Sequence, residues 1–221
     1  MAIDLLQRRH FIALSIAVTA PAVAQSRALL VEAAGRGDLA PVHALLRGGA
    51  DIEQRDAAGR TAILAATAGN HLEVVRALIA RGANVNAQDQ QRDSAFLLAG
   101  ARGHTDIVRA TLAAGADLRS TNRYGGTALI PACHYGHVET VRLLLGTAID
   151  VNHVNNLGWT ALLEAVILGD GGPAHAEIVR LLVAAKADVA LADREGVTPL
   201  AHARRRGQRV VEEILLRAGA R

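Results

Sequence analysis

The sequence predicts an all-α fold: a solenoid of stacked helix-turn-helix units joined by short β-hairpin-like loops. A pattern that opens at Asp56 recurs from Asp89 and from Asn122, at an interval of 33 residues (89 − 56 = 33; 122 − 89 = 33). Aromatic residues make up only 2% of the chain, so the helices must pack closely through small and branched aliphatic side chains. A fixed period of this length indicates units that bury their apolar faces against neighbouring units.

The period divides the chain into repeats of two helices each. We predict an N-terminal capping repeat over 25–55, repeats over 56–88, 89–121, 122–154 and 155–192, and a C-terminal capping repeat over 193–221. The repeat over 155–192 carries a five-residue insertion at 170–174. Because Gly-Gly-Pro cannot continue a helix, we expect the insertion to bulge as a surface loop between the two helices.

Each first helix from the second repeat onward is predicted to begin at a hydroxyl residue that caps its free N–H groups. These residues are Thr61, Ser94, Thr127, Thr160 and Thr198. Pro131 is expected near the first turn of its helix, where a missing N–H costs little. Arg92 stands where the other hairpins have Gly, so we expect that hairpin to be distorted.

These units resemble the ankyrin repeat. Gly-His, Glu-Val-Val and Gly-Ala-Asn-Val-Asn stand in the family's expected slots, and the resemblance runs from about Ser26 to the C-terminus. Every copy departs from the family's Thr-Pro-Leu-His by lacking its His, and only Thr198-Pro199-Leu200 keeps the Pro. We therefore expect an intact fold with less rigid hairpins.

The resemblance implies a non-enzymatic scaffold that binds a folded protein through its hairpin tips and the concave face of its first helices. The chain's only Trp and both its Tyr fall at these positions, and Trp, Tyr and Arg are enriched in interface hot spots. The predicted protein-binding residues are Arg102, Arg123, Tyr124, Tyr135, Leu157, Trp159 and Arg194. Two alternatives stay open: Trp159 and Tyr124 only cover the hairpins beneath them, or the same surface occludes an exported enzyme or toxin, as an inhibitor or immunity protein does.

Catalysis is not predicted, because a solenoid spreads its polar groups along one dimension. His71, His104 and His137 lie about one repeat apart, too far for a shared metal. We predict no catalytic residue, no metal site and no cofactor. A cryptic enzyme using Cys133 and His134 is the one catalytic alternative, and it has no identifiable third group.

The first 24 residues resemble a secretory signal peptide. Arg8 and Arg9 precede an apolar run from Phe11 to Val18, and Ala22-Val23-Ala24 has the spacing that signal peptidase requires. The two arginines favour the twin-arginine route, and the apolar run is too short to anchor the chain in a membrane. We therefore predict a periplasmic protein, monomeric alone, with an exported partner. A formal charge of only +3, with both signs interspersed, argues against nucleic acid.

Overall fold

The computed structural model describes residues 29–221, and the predicted signal peptide over 1–24 lies outside them. The chain from 29 onward forms helices joined by turns and short loops, with no strand in that range. We number the helices α1 (29–36), α2 (Leu39–Arg47), α3 (Ala62–Ala68), α4 (Leu72–Ala80), α5 (Ala95–Arg102), α6 (Thr105–Ala113), α7 (Leu129–His134), α8 (Val138–Leu145), α9 (Ala161–Ile167), α10 (Pro173–Ala184), α11 (Pro199–Arg205) and α12 (Arg209–Arg217).

The helices form two layers. The odd-numbered first helices pack side by side from α3 to α11, and the even-numbered second helices do the same from α2 to α12. From α3 onward, each first helix also packs on the second helix of its own unit. This arrangement is the predicted all-helical solenoid, in which one apolar core runs along the whole stack.

Side-chain size explains the two layers. The first helices are short and rich in Ala, and α3 is buried on all sides from Ala62 to Thr67. The second helices bury one stripe, which in α4 consists of Val74, Val75 and Leu78. Because α3 lies between neighbouring first helices and over its own partner, small apolar side chains fill almost all of its surface.

The hairpins between units share one hydrogen-bond pattern. Asp56 Oδ1 accepts bonds of 2.9 Å from the backbone N–H groups of Ala58 and Arg60. The opening residues of the later hairpins bind their own loops in the same way: Asp89, Asn122, Asn155 and Asp193. The side chain of each opening residue thus fixes its hairpin.

The successive hairpin tips are also joined to one another. Backbone bonds run from Gln90 N to Ala58 O, from Arg123 N to Gln91 O and from Asn156 N to Tyr124 O. In the last hairpin the Arg194 guanidinium replaces the backbone donor and binds Asn156 O. The tips therefore form a continuous hydrogen-bonded ribbon, which we call the tip ribbon, from Ala58 to Arg194.

The expected distortion at Arg92 is wrong. Asp89 N donates to Asp93 O at 3.0 Å and Arg92 N donates to Asp89 O at 3.0 Å, as in the Gly-containing hairpins. Arg92 achieves this by adopting φ 60°, the left-handed conformation that Gly59, Gly125, Gly158 and Gly196 adopt in their hairpins. The hairpin therefore keeps its shape, and the cost is backbone strain at Arg92, whose Cβ disfavours the left-handed conformation.

The insertion is not wholly a loop, so that prediction is wrong in part. Of the inserted residues, only 170–172 lie in the turn between α9 and α10. Gly172 is the N-cap of α10, and Pro173 is the first residue of this helix. Pro suits this position because its missing N–H has no helical acceptor there. The inserted residues thereby lengthen α10 to 12 residues.

The hydroxyl caps form in three of the five predicted places. Ser94, Thr160 and Thr198 accept bonds from the backbone N–H groups three residues onward. The hydroxyls of Thr61 and Thr127 are buried without a hydrogen-bond partner in the described chain. Pro131 lies in the first turn of α7, as predicted.

Candidate protein-binding surface

Four of the seven predicted binding residues line one surface cavity of about 370 Å³. These are Arg123, Tyr124, Tyr135 and Leu157, and the cavity is also lined by Asp93, His134, Glu164 and Leu168. We call it the tyrosine cavity. Tyr124 is 51% exposed, Tyr135 59% and Leu157 47%, so large apolar surfaces face solvent at its rim.

Three consecutive units supply the walls of the tyrosine cavity. Arg123 and Tyr124 stand at one hairpin tip and Leu157 at the next, where the tip ribbon holds the two hairpins together. The Arg123 guanidinium lies 4.7 Å from the Tyr124 ring centroid and donates to the Tyr124 hydroxyl at 3.0 Å. Across the cavity, at the end of α7, the His134 and Tyr135 rings stack with their centroids 4.1 Å apart.

Glu164 is a buried carboxyl in the wall of the tyrosine cavity, and the sequence-based site prediction missed it. Its side chain is only 9% exposed. Oε1 accepts a bond of 2.9 Å from Asn155 Nδ2, and Oε2 lies 3.8 Å from His134 Nδ1, beyond hydrogen-bond distance. The available signal was a single acidic residue within Ala-Leu-Leu-Glu-Ala-Val-Ile, a helix that is otherwise apolar.

The pKa values of Glu164, Asp93 and His134 in this cavity are shifted toward their neutral forms. Burial raises the pKa of Glu164 to about 7, against the lowering effect of the Asn155 bond. Burial also raises the pKa of Asp93, with a further contribution from Asp89. Burial, together with nearby His175, lowers the pKa of His134. An ionised Glu164 therefore faces a neutral imidazole rather than a cation.

The other three predicted residues do not line the tyrosine cavity. The Arg102 guanidinium donates to Ala68 O in the preceding unit, and Arg194 belongs to the tip ribbon. Both side chains thus have a structural bond although both residues are exposed. Trp159 is half-buried at the base of its hairpin. The structure therefore groups the tyrosines with Arg123 and Leu157 and separates them from Trp159.

Cys133 lacks the properties of a nucleophile. It is fully buried, and this burial, with the nearby Glu164 charge, raises the pKa of its thiol well above the usual range. A catalytic cysteine needs an accessible thiolate. Within 29–221 no three His, Cys, Asp or Glu side chains are grouped so that they could hold a metal ion. No helix in that range is long and apolar enough to cross a membrane.

The fold and the repeat pattern define a class of protein. The family model "Ankyrin repeats (3 copies)" matches residues 30–122 and 96–193. The chain therefore belongs to the ankyrin repeat family, whose members are generally protein-protein interaction modules and whose fold is typically a non-enzymatic binding scaffold.

Three solved structures are similar over most of the chain. An ankyrin repeat domain from Acinetobacter baumannii AYE, ABAYE2397, is 53% identical with a TM-score of 0.83, covering 87% of this chain and 98% of that one. The ankyrin repeat protein EF0377 is 38% identical with a TM-score of 0.82, covering 85% and 96%. The ankyrin repeat domain of Bcl-3, a member of the IkappaB family, is 30% identical with a TM-score of 0.78, covering 87% and 86%.

One curated relative matches a shorter stretch. The ankyrin repeat protein YahD of Escherichia coli strain K12 is 44% identical over 57 residues, which are 26% of this chain. The match spans only 28% of the length of YahD.

Proposed function

We propose that this protein is a non-enzymatic scaffold of the bacterial periplasm that binds a folded, exported protein through the rim of the tyrosine cavity. Ankyrin repeats bind protein partners in general, and the position of the interface is inferred from the surface of this chain. The observation that carries the proposal is the exposure of Tyr124, Tyr135 and Leu157 around one cavity. Exposed aromatic side chains at the rim of a surface cavity are typical anchors of protein interfaces.

The same positions in earlier units support this location. The second unit carries Ala57 and Ala58 at its hairpin tip and Ala68 and Gly69 at the end of α3. These side chains offer little contact area and no cavity with aromatic walls. The tip ribbon and the helix stack are shared by all these units, so the tyrosines are not required by the fold.

Periplasmic localisation is supported by the predicted signal peptide over 1–24. We expect the full-length chain, expressed in a Gram-negative host, to be recovered from the periplasmic fraction with an N-terminus at Gln25. Recovery of the uncleaved chain in the cytoplasmic fraction contradicts this part of the proposal.

Partner binding is tested by combining Tyr124→Ala, Tyr135→Ala and Leu157→Ala in the mature protein. Truncation of a hot-spot residue costs about 2 kcal/mol or more of binding free energy, so the triple variant should no longer crosslink to the protein that wild type captures from periplasmic extract. Its melting temperature should stay close to that of wild type, because the three side chains are about half exposed.

The matched control is Leu216→Ala, which removes an exposed Leu, 43% accessible, from α12. It should crosslink as wild type does. Equal crosslinking of the triple variant, or crosslinked peptides confined to the second helices, contradicts the proposed surface. If the captured protein is a hydrolase or toxin whose activity falls on binding, the protein is an inhibitor that uses this surface.

A further inference from the structure

We propose that the tyrosine cavity is a lysine pocket, in which a lysine side chain of the partner protein pairs with Glu164. This inference rests on the proposed function, since it specifies the side chain by which the partner is anchored. Three observations support it: the carboxyl of Glu164 is buried in the cavity wall, no cationic side chain of the described chain pairs with it, and apolar side chains surround it.

The Glu164 carboxylate has no cationic partner within the described chain. Its Oε2 atom accepts no hydrogen bond within the described chain, and the nearest basic nitrogen, His134 Nδ1, is 3.8 Å away. Arg123 also lines the cavity, but it donates to Gln91 Oε1 and to the Tyr124 hydroxyl. A buried carboxylate without a cation is costly, so an incoming cation gains a strong interaction there.

The geometry around Glu164 favours lysine over arginine. A guanidinium binds a carboxylate best through two parallel bonds, which need both oxygens. Asn155 Nδ2 already takes one acceptor site of Glu164 Oε1 at 2.9 Å, whereas Oε2 accepts no bond within the described chain, so Oε2 is the more open oxygen. A single acceptor suits the compact ammonium group of lysine.

Apolar side chains stand at the rim of the cavity that leads to Glu164. The exposed Tyr135 ring and the exposed side chains of Leu157 and Leu168 form apolar walls at the rim. The methylene stem of a lysine packs on such surfaces while its ammonium reaches a polar group. Aromatic faces also attract the cation itself.

Lysine binding to this cavity should depend on pH. The pKa of Glu164 is raised to about 7 by burial, so roughly 10% of the carboxyl is ionised at pH 6 and roughly 90% at pH 8. Lysine binds the ionised form, so its affinity should rise about ninefold over this range. The elements packed against α9 carry other titratable groups: Cys133 and His134 on α7, His175, Glu177 and Arg180 on α10, and His202, Arg204 and Arg205 on α11. The remaining walls of the cavity carry Asp93, Arg123, Tyr124 and Tyr135.

The test is a titration of the mature protein with Nα-acetyl-lysine methylamide, followed by NMR chemical shifts. We expect saturable shifts at the backbone amides of Tyr135, Leu157 and Glu164. Glu164→Gln keeps the Asn155 contact but removes the charge, and it should weaken binding at least about tenfold and abolish its pH dependence. The norleucine analogue, which lacks the ammonium group, and the arginine analogue should both bind more weakly.

Two further variants complete the test. Glu73→Gln removes the carboxylate of an exposed residue on α4, whose side chain is 67% accessible. This variant should leave the titration unchanged. Tyr135→Ala alters only an exposed side chain and should also weaken binding, which keeps the test decisive if Glu164→Gln does not fold. Absence of saturable shifts in wild type, or equal affinity for lysine and norleucine analogues, overturns the inference.

The outcome is separable from that of the proposed function. If the lysine analogue does not bind while the partner is still lost on removal of Tyr124, Tyr135 and Leu157, the interface stands and the lysine pocket is wrong. If the analogue binds at Glu164 and no partner crosslinks to this surface, the pocket stands and the proposed function is wrong.

Discussion

At the scale of single residues, Arg92 shows that the repeat imposes its backbone on an unsuitable side chain. Arg92 adopts φ 60° at a hairpin position that is Gly in the other four hairpins of this kind. A left-handed conformation costs a residue with a Cβ roughly 1–2 kcal/mol. The bonds of Asp89 and of the neighbouring tips hold the hairpin against this cost.

Arg92→Gly should therefore stabilise the protein. The relief of strain exceeds the extra entropy that Gly loses on folding, so we expect the free energy of unfolding to rise by about 0.5–1 kcal/mol. Urea denaturation measures the change. The reverse control is Gly196→Ala, at φ 74° with no atom within 4 Å of the added Cβ, and it should be destabilising. A loss of stability in Arg92→Gly contradicts the strain assigned to this residue.

At the scale of the helix pair, a histidine at one position of the repeat hydrogen-bonds to the unit before it in three of the four units that carry it. His71 binds Gly35 O at 3.1 Å, His137 binds Ala101 O at 3.2 Å and His175 binds His134 O at 2.9 Å. His175 keeps this contact although the insertion has moved it inside α10. His104 is the exception, because its buried Nε2 has no partner in the described chain and Arg102 donates to Ala68 O instead.

His104→Ala should cost less stability than His137→Ala. The second variant loses a hydrogen bond and leaves a carbonyl unpaired, whereas the first removes a buried nitrogen that had no partner. We expect the two losses in the free energy of unfolding to differ by about 1 kcal/mol, as measured by chemical denaturation. Equal losses contradict the idea that the ring bond, rather than ring packing, ties the units.

At the scale of the whole molecule, stability is transmitted only between neighbouring units. Of the two glycines within first helices, Gly100 on α5 lies closer to the next unit: an added Cβ would come within 2.8 Å of Ala128 Cβ. The stack has no alternative route around this interface. Its cooperativity therefore depends on each successive interface being intact.

Gly100→Ala should separate the unfolding of the two halves. Overpacking typically costs about 1–3 kcal/mol, which here falls on the interface between the third and fourth units. Trp159, the only Trp, reports on the fifth unit by fluorescence, while circular dichroism reports on all helices. We expect the two transitions to coincide in wild type and to diverge in the variant.

The control for this prediction is Gly35→Ala on α1. The added Cβ meets Ala65 Cβ at an ordinary distance of 3.6 Å, so this variant should be as cooperative as wild type and slightly more stable. Coincident transitions in Gly100→Ala contradict the proposed dependence on that interface.

The sequence predicted the repeating part of the structure and missed the parts that differ between units. The 33-residue period was enough to predict the helix stack, because each unit repeats the same burial. The turn at 170–172 could not be placed from composition, since Pro both breaks a helix and begins one. Arg92 was misjudged because the neighbours that enforce its conformation are contacts in space rather than in sequence.

The candidate site was predicted only at its surface. Tyr124, Tyr135 and Leu157 follow from the family's contact positions, and the structure adds that they surround one cavity. Glu164 was missed because it lies at a position filled by Ala65, Leu98 and Pro131 in the preceding units. A charged residue replacing apolar ones at a buried repeat position is the signal to search for in such chains.

The tip ribbon also has an elastic consequence. Its links are hydrogen bonds, which tolerate only a few tenths of an ångström of extension. The second helices meet mainly through apolar contacts, whose energy changes gradually with distance, with side-chain bonds only at Thr105–Thr140 and Arg142–Glu177 among the described pairs. When the stack bends, the distances between successive second helices should therefore change, while the distances between successive hairpin tips stay nearly constant. Because the ribbon holds Tyr124 and Asn156 together beside the tyrosine cavity, the mouth of the cavity lies near the line of least displacement, and bending of the solenoid should leave its width almost unchanged.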